Sequence, residues 1–165
     1  MQTIDARPIP TSLLDPKVVR LWRLSNLLWG VLPLVAIAAF GGFLLNRLAD
    51  WSLALATLPL IAVLIIAVPL ALLLPAATYR NWRWGISDDE VDTMSGLFTV
   101  TRRLVPMARI QHVDTTRDVF ERSMQLATVV IYTAAGSSAI PGLPVRRAEE
   151  IRDQIAALAN TYEDI

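Results

Sequence analysis

The chain has 165 residues, 54% of them apolar and 18% charged, with a mean hydropathy of +0.46, fifteen basic residues against fifteen acidic ones, and no cysteine. This excludes a disordered chain, and it excludes a generally basic nucleic-acid binder, which needs a net positive field to attract phosphate. The missing cysteine removes disulfide scaffolds, thiolate metal sites, iron–sulfur clusters and thiol nucleophiles.

Polarity is unevenly spread along the chain. Residues 1–26 carry a net charge of +2 and read as a cytoplasmic N-terminal segment leading into a helix, with Asp15-Pro16 as N-cap and first helical residue. Residues 27–78 hold only Arg47 and Asp50 as charges. Leu27–Leu45 is 19 residues without a charge and Ser52–Thr78 is 27, each longer than the ~18 that mark a spanning helix. At ~1.5 Å per residue the second run exceeds a ~30 Å hydrocarbon core, so it must tilt or bend, and Pro59, Pro69 and Pro75 offer places to do so. Six residues, Asn46 to Trp51, join the runs as a tight helical hairpin, with Asp50 expected to cap the second helix. Small residues four apart, Ala38 with Gly42 and Ala67 with Ala71, could let the helices approach closely.

Orientation follows from the flanks. Lys17, Arg20, Arg23, Arg80 and Arg83 lie on one side and Arg47 alone on the other, which places both termini in the cytoplasm. Trp22, Trp29, Trp51, Trp82 and Trp84 fall near the ends of the two runs, so these rings, with Arg23, Arg80 and Arg83, are expected as membrane-interface anchors. Ala36 to Ala39 resemble a signal cleavage site, but the leader is long and carries two acids, so an anchor is the better reading. No ionisable residue lies inside either run, which disfavours a channel or carrier.

From Tyr79 the pattern shifts to short β-branched and aromatic stretches separated by turns. Strands are expected at 82–86, 90–95, 98–105, 110–116 and 127–133. The sequence Ala135 to Ser138 then turns into a short strand at Ala139-Ile140, and residues 118–124 form an irregular or one-turn helical crossover. Six short sequential strands favour an antiparallel sheet that curls on itself. Pro144 suits the first turn of a last helix, where Ala148, Ile151, Ile155, Leu158 and Tyr162 recur on one stripe that would close the sheet.

These residues resemble the bacterial pleckstrin-homology-like membrane proteins, the YdbS-like group. The resemblance is carried by Tyr79-Arg80-Asn81-Trp82-Arg83-Trp84, Ser95-Gly96-Leu97-Phe98, Arg102-Arg103 before Val105-Pro106, and most specifically Arg109-Ile110-Gln111-His112-Val113-Asp114. Leu126-Ala127-Thr128-Val129, Thr133-Ala134 and Ile140-Pro141-Gly142-Leu143 continue it. The resemblance implies a pleckstrin-homology-like bent antiparallel sheet or partial barrel capped by a C-terminal helix, behind a two-helix transmembrane hairpin, and it brings no catalytic residue set. One departure stands out: the family usually has glycine before the Leu-Ala-Thr run, where this chain has Gln125, so a local difference in the turn is expected there. The expected organisation is therefore an α+β membrane protein, with segment 1–26, hairpin 27–78 and a cytoplasmic domain at 79–165 in the inner membrane.

Candidate sites are few. His112 has Asp114 two residues along on the same strand face, but neither a nucleophile nor a second histidine accompanies it, so residues Ile110, Gln111, His112, Val113 and Asp114 are read as a structural motif. Asp88, Asp89, Glu90 and Asp92 lack the spacing and central glycine of a calcium loop and read as a solvated turn. Arg102, Arg103 and Arg109 are candidates for contact with an anionic leaflet. No catalytic site, metal or cofactor is expected. The chain is read as a non-enzymatic interaction or assembly module whose partners are membrane lipids and a second membrane protein or another copy of itself, with lipid sensing as the alternative and nucleic acid excluded.

Overall fold

A computed structural model describes residues 9–49 and 51–163 and divides them into two compact units, one of residues 19–77 and one of residues 9–18 with 78–163.

The first unit is a helical hairpin. Helix α1 (Lys17–Ser25) continues through a π-helical stretch, Asn26–Val31, into α2 (Leu32–Leu48). Pro33 lies in the first turn of α2; its ring would strike the carbonyl four residues back, and the wider π turn, in which Leu32 N–H reaches Leu27 O, makes room for it. The return begins with a single turn, α3 (Leu53–Ala56), and continues as α4 (Leu58–Asn81). Pro59 sits in the first turn of α4 and explains the break after Ala56, whereas Pro69 and Pro75 are carried inside the helix. Ser52 caps α3, its hydroxyl accepting from Leu55 N–H at 3.4 Å. Asp50, expected in that role, lies outside the described residues. The loop is closed by Asn46 Nδ2 donating to Trp51 O at 2.8 Å.

Both helical stretches, Lys17–Leu48 and Leu53–Asn81, are long and apolar enough to cross a membrane. Only 11% of either apolar window is buried, which is the opposite of a soluble protein's core helix. Beside Leu21, Val31 and Pro75, the buried residues are small: Ala38, Gly42, Ala56 and Ala71. Their lack of bulk lets one backbone approach the other, so closely that a Cβ on Gly42 would overlap the carbonyl oxygen of Ala56.

The second unit holds six strands: β1 (Arg83–Ile86), β2 (Glu90–Ser95), β3 (Thr101–Pro106), β4 (Ile110–Thr116), β5 (Leu126–Thr133) and β6 (Gly136–Pro144). They form two antiparallel three-stranded sheets, ordered β1-β2-β3 and β4-β5-β6, joined by a 3₁₀ turn at Met107–Arg109. Helix α5 (Val119–Met124) crosses between β4 and β5 behind a capping box: Asp118 Oδ1 accepts from Glu121 N–H at 2.6 Å, and Glu121 accepts from Asp118 N–H at 3.0 Å and from the Thr128 hydroxyl at 2.6 Å. Helix α6 (Val145–Glu163) contacts β4, β5, β6 and the 3₁₀ turn through Ala148, Ile151, Ile155 and Ala159, all buried with Met107, Leu126, Ile131 and Leu143. Leu158 is only half-buried, and the Tyr162 side chain lies outside what is described.

Several boundaries differ from the expected ones. Strand β3 starts at Thr101 instead of residue 98, because Gly96, at φ +132°, turns the chain back so tightly that a Cβ there would overlap Thr99 O. Strand β6 is nine residues long instead of two; a register shift opposite Ala127/Val129 absorbs Pro141 and Gly142, and this edge strand tolerates the proline. Pro144 is the last strand residue and not the first of the helix. Residues 9–18, read as a lead into the membrane, belong to the β unit: Ser12 and Trp84 exchange two backbone hydrogen bonds of 3.1 Å, Asp15 N–H donates to Gly142 O at 3.2 Å, and the Tyr79 hydroxyl donates to Leu14 O at 3.2 Å. Asp15 does cap α1, accepting from Lys17 N–H at 2.8 Å.

Gln125 is the one described non-glycine residue with positive φ (56°), and it closes α5 in the left-handed region. A side chain there costs about 1–2 kcal/mol, which is why glycine suits the position. Gln125→Gly is therefore expected to raise the thermal midpoint of the β unit by a few degrees, less than the full strain because glycine also frees the unfolded chain; an unchanged or lowered midpoint in a melting experiment would count against this account.

Candidate interaction surface

The three candidate arginines come from the β3 edge and the turn after it, and the fold gives them different neighbours. Arg102 stands opposite Met94 in the β2–β3 register, diagonal to Asp92, whose direct partner is Leu104. That diagonal is within reach of a guanidinium. Arg102 Nε donates to both Asp92 oxygens, at 3.2 and 2.9 Å, and Nη2 donates to Oδ2 at 2.5 Å. Both side chains are largely buried. The hydrogen bonds to Asp92, and then the charges of Asp92 and Glu90, hold the guanidinium above its already high ordinary value against partial loss of solvent, so it stays charged at every physiological pH. Arg102 is thus engaged by Asp92 within the sheet, which leaves Arg103 and Arg109 as the exposed candidates for lipid contact. The same pair corrects the reading of the acidic run, because Asp92 is buried and paired instead of solvated.

Arg103 and Arg109 are exposed. Arg103 Nη1 donates to Ser137 O at 2.9 Å, tying β3 to the start of β6 across the seam between the sheets. An open groove of about 320 Å³ runs along that seam, with Arg103 and Arg109 on one wall and Thr133, Ala135, Gly136 and Ser138 among the residues of the other. Neither β3 nor β6 has a strand partner on this side, since each ends its sheet. The groove therefore offers two guanidinium groups together with strand-edge backbone, a combination suited to an extended acidic or polar segment.

His112 lies on β4 facing Tyr132 of β5, the rings stacked with centroids 4.3 Å apart and planes 14° from parallel. Asp114 Oδ2 is 3.8 Å from Nε2, too far for a hydrogen bond, and both side chains are more than half exposed. Ile110 is buried, while Gln111 is exposed and Val113 half-buried, so the motif is a sheet edge whose anchor is Ile110. Among the described residues, no three His, Asp or Glu side chains converge to hold a metal.

The tryptophans divide into two groups. Trp29 and Trp51 are exposed and Trp22 half-exposed on the hairpin. Trp82 and Trp84 are only 8% and 5% exposed, and Trp84 Nε1 donates to Leu13 O at 3.2 Å. Both rings are buried in the β unit, and Trp84 uses its indole N–H on the N-terminal segment. Arg23 Nε donates to Leu72 O at 2.8 Å within the hairpin, and Arg83 Nη1 donates to the carbonyls of Arg80 and Trp82.

The bacterial PH domain family matches residues 31–159 of this chain. The transmembrane protein YdbS of Bacillus subtilis (strain 168) is 31% identical over 158 residues, covering 96% of this chain and 98% of that protein. No solved structure matches.

Proposed function

Because this chain belongs to the bacterial PH domain family, as a transmembrane member of the YdbS-like group, we propose that it is a non-enzymatic assembly module of the inner membrane, with both termini in the cytoplasm, that captures another membrane protein through the seam between its two sheets. The observation that carries this reading is the groove of about 320 Å³ flanked by the unpartnered edges of β3 and β6, with Arg103 and Arg109 at its lip. The hairpin supplies tethering more readily than recognition. Its small residues are already used against each other, and its outward residues, such as Ile37, Phe40, Ile65 and Leu73, are the large apolar kind that lipid accommodates. The excess of basic residues at the two outer flanks supports the orientation.

A photo-crosslinking residue at Ala135 in the full-length chain, activated in intact cells, is expected to give one discrete protein adduct, and Arg103→Ala with Arg109→Ala to reduce it severalfold. Adducts to lipid alone, lost in the same double variant, would instead favour anionic-lipid sensing by these two arginines, a reading supported by their exposure. An adduct insensitive to both substitutions would refute a seam-centred function.

A further inference from the structure

The β2–β3 loop contains the most exposed large apolar residue among those described: Phe98 is 93% exposed. Single exposed apolar side chains are ordinary, but this one has company. Val100 is exposed and Leu97 half-exposed in the same loop, and from Thr93 to Thr101 the chain carries no charge, although the segment from 79 to 165 has ten arginines and twelve acidic residues. The loop is also held in one shape. Gly96, at φ +132°, admits no side chain, and Gly96 O accepts a hydrogen bond of 3.0 Å from Asn81 Nδ2.

Asn81 is the last residue of α4, three residues beyond the end of the uncharged run at Thr78. Three helical residues rise ~4.5 Å, and the headgroup region adds ~5–8 Å on each side of the hydrocarbon core. The hydrogen bond therefore ties the base of the loop to the end of the helix that leaves the uncharged run, with Phe98 beyond it. Rings favour that layer, and in this chain Trp82 and Trp84, which follow Asn81 in sequence, are withdrawn into the core and do not fill it.

We propose that Phe98, with Leu97 and Val100, inserts into the cytoplasmic leaflet as a second, non-helical contact between the β unit and the lipid surface. The contact is apolar and independent of the arginines at the seam, so it stands whether or not the seam captures a partner. Because the chain has no cysteine, Phe98→Cys and, as a control on the exposed face of α6, Ala157→Cys can each carry a single spin label in the full-length protein, reconstituted in vesicles of phosphatidylcholine and phosphatidylglycerol. The label at position 98 should collide with oxygen severalfold more often than with a water-soluble nickel chelate, and the label at 157 should show the reverse. Equal nickel access at both positions would overturn the proposal, as would protection of position 98 from both quenchers, which would mean that a protein surface covers it.

Discussion

Gly142→Ala in the full-length chain should lower the thermal midpoint of the β unit by at least ~10 °C, at about 4–8 °C per kcal/mol for a unit of this size. Two costs combine. Gly142 has φ +63°, where a side chain costs about 1–2 kcal/mol. The added methyl would also overlap Val18 Cγ2 and lie 2.6 Å from Val18 Cβ; Val18 is wholly buried and too short to swing aside, so overpacking adds about 1–3 kcal/mol. Against a total stability of about 5–15 kcal/mol this is a large loss. Near-UV circular dichroism, to which the buried Trp82 and Trp84 contribute, follows the transition in detergent. Val18→Ala should partly rescue Gly142→Ala, because it removes the Cγ2 overlap while leaving the close approach of Cβ and the backbone strain, giving a coupling of about 0.5–3 kcal/mol. A midpoint within a degree or two of the parent, or strictly additive effects, would mean that the N-terminal segment does not pack on β6. The outcome also bears on any work with a truncated domain, since a fragment starting at residue 79 lacks Ser12, Leu14 and Val18 and leaves the Trp84 backbone and indole N–H without the partners described here.

What could be read in the sequence was local. Two uncharged runs suffice for the helices, because every backbone polar group in a bilayer must be satisfied within its own segment. Strands β2 and β4 begin and end where expected, at 90–95 and 110–116, because turn residues bracket both. The misjudged features were non-local. Phe98 looks like a strand residue by propensity, but Gly96 reverses the chain first. Trp82 and Trp84 look like interface anchors by position, yet both are buried, and Trp84 pairs with a segment some seventy residues upstream that no local pattern announces. Arg102 and Asp92 meet only once the β2–β3 register is known, and nothing in the spacing of ten residues separates that pair from a solvated one. Gln125 is the instructive intermediate case. Comparison with a family pattern marked the position, and the left-handed backbone there supplies the physical reason for glycine.

Gly42→Leu should separate the two membrane helices, whereas Gly41→Leu, one residue away, should not. A Cβ at Gly42 would overlap Ala56 O and lie 3.3 Å from Ala56 C, and a backbone carbonyl in a helix cannot rotate out of the way. The helices must part, giving up contacts at Ala38 and Ala56 and widening a notch of about 230 Å³ that these residues line with Ala39 and Leu53. A Cβ at Gly41 meets nothing within 4 Å, so a leucine there faces outward and suits lipid. Cysteines at Ala39 and Leu53, joined by a short thiol crosslinker in membranes, should lose severalfold in yield with Gly42→Leu and little with Gly41→Leu. Equal yields in the two backgrounds would remove the close approach. If the asymmetry holds, the face bearing Ala38 and Gly42 is occupied within one chain and unavailable to a second copy. The capture proposed above would then use the seam between the sheets and not this face of the hairpin.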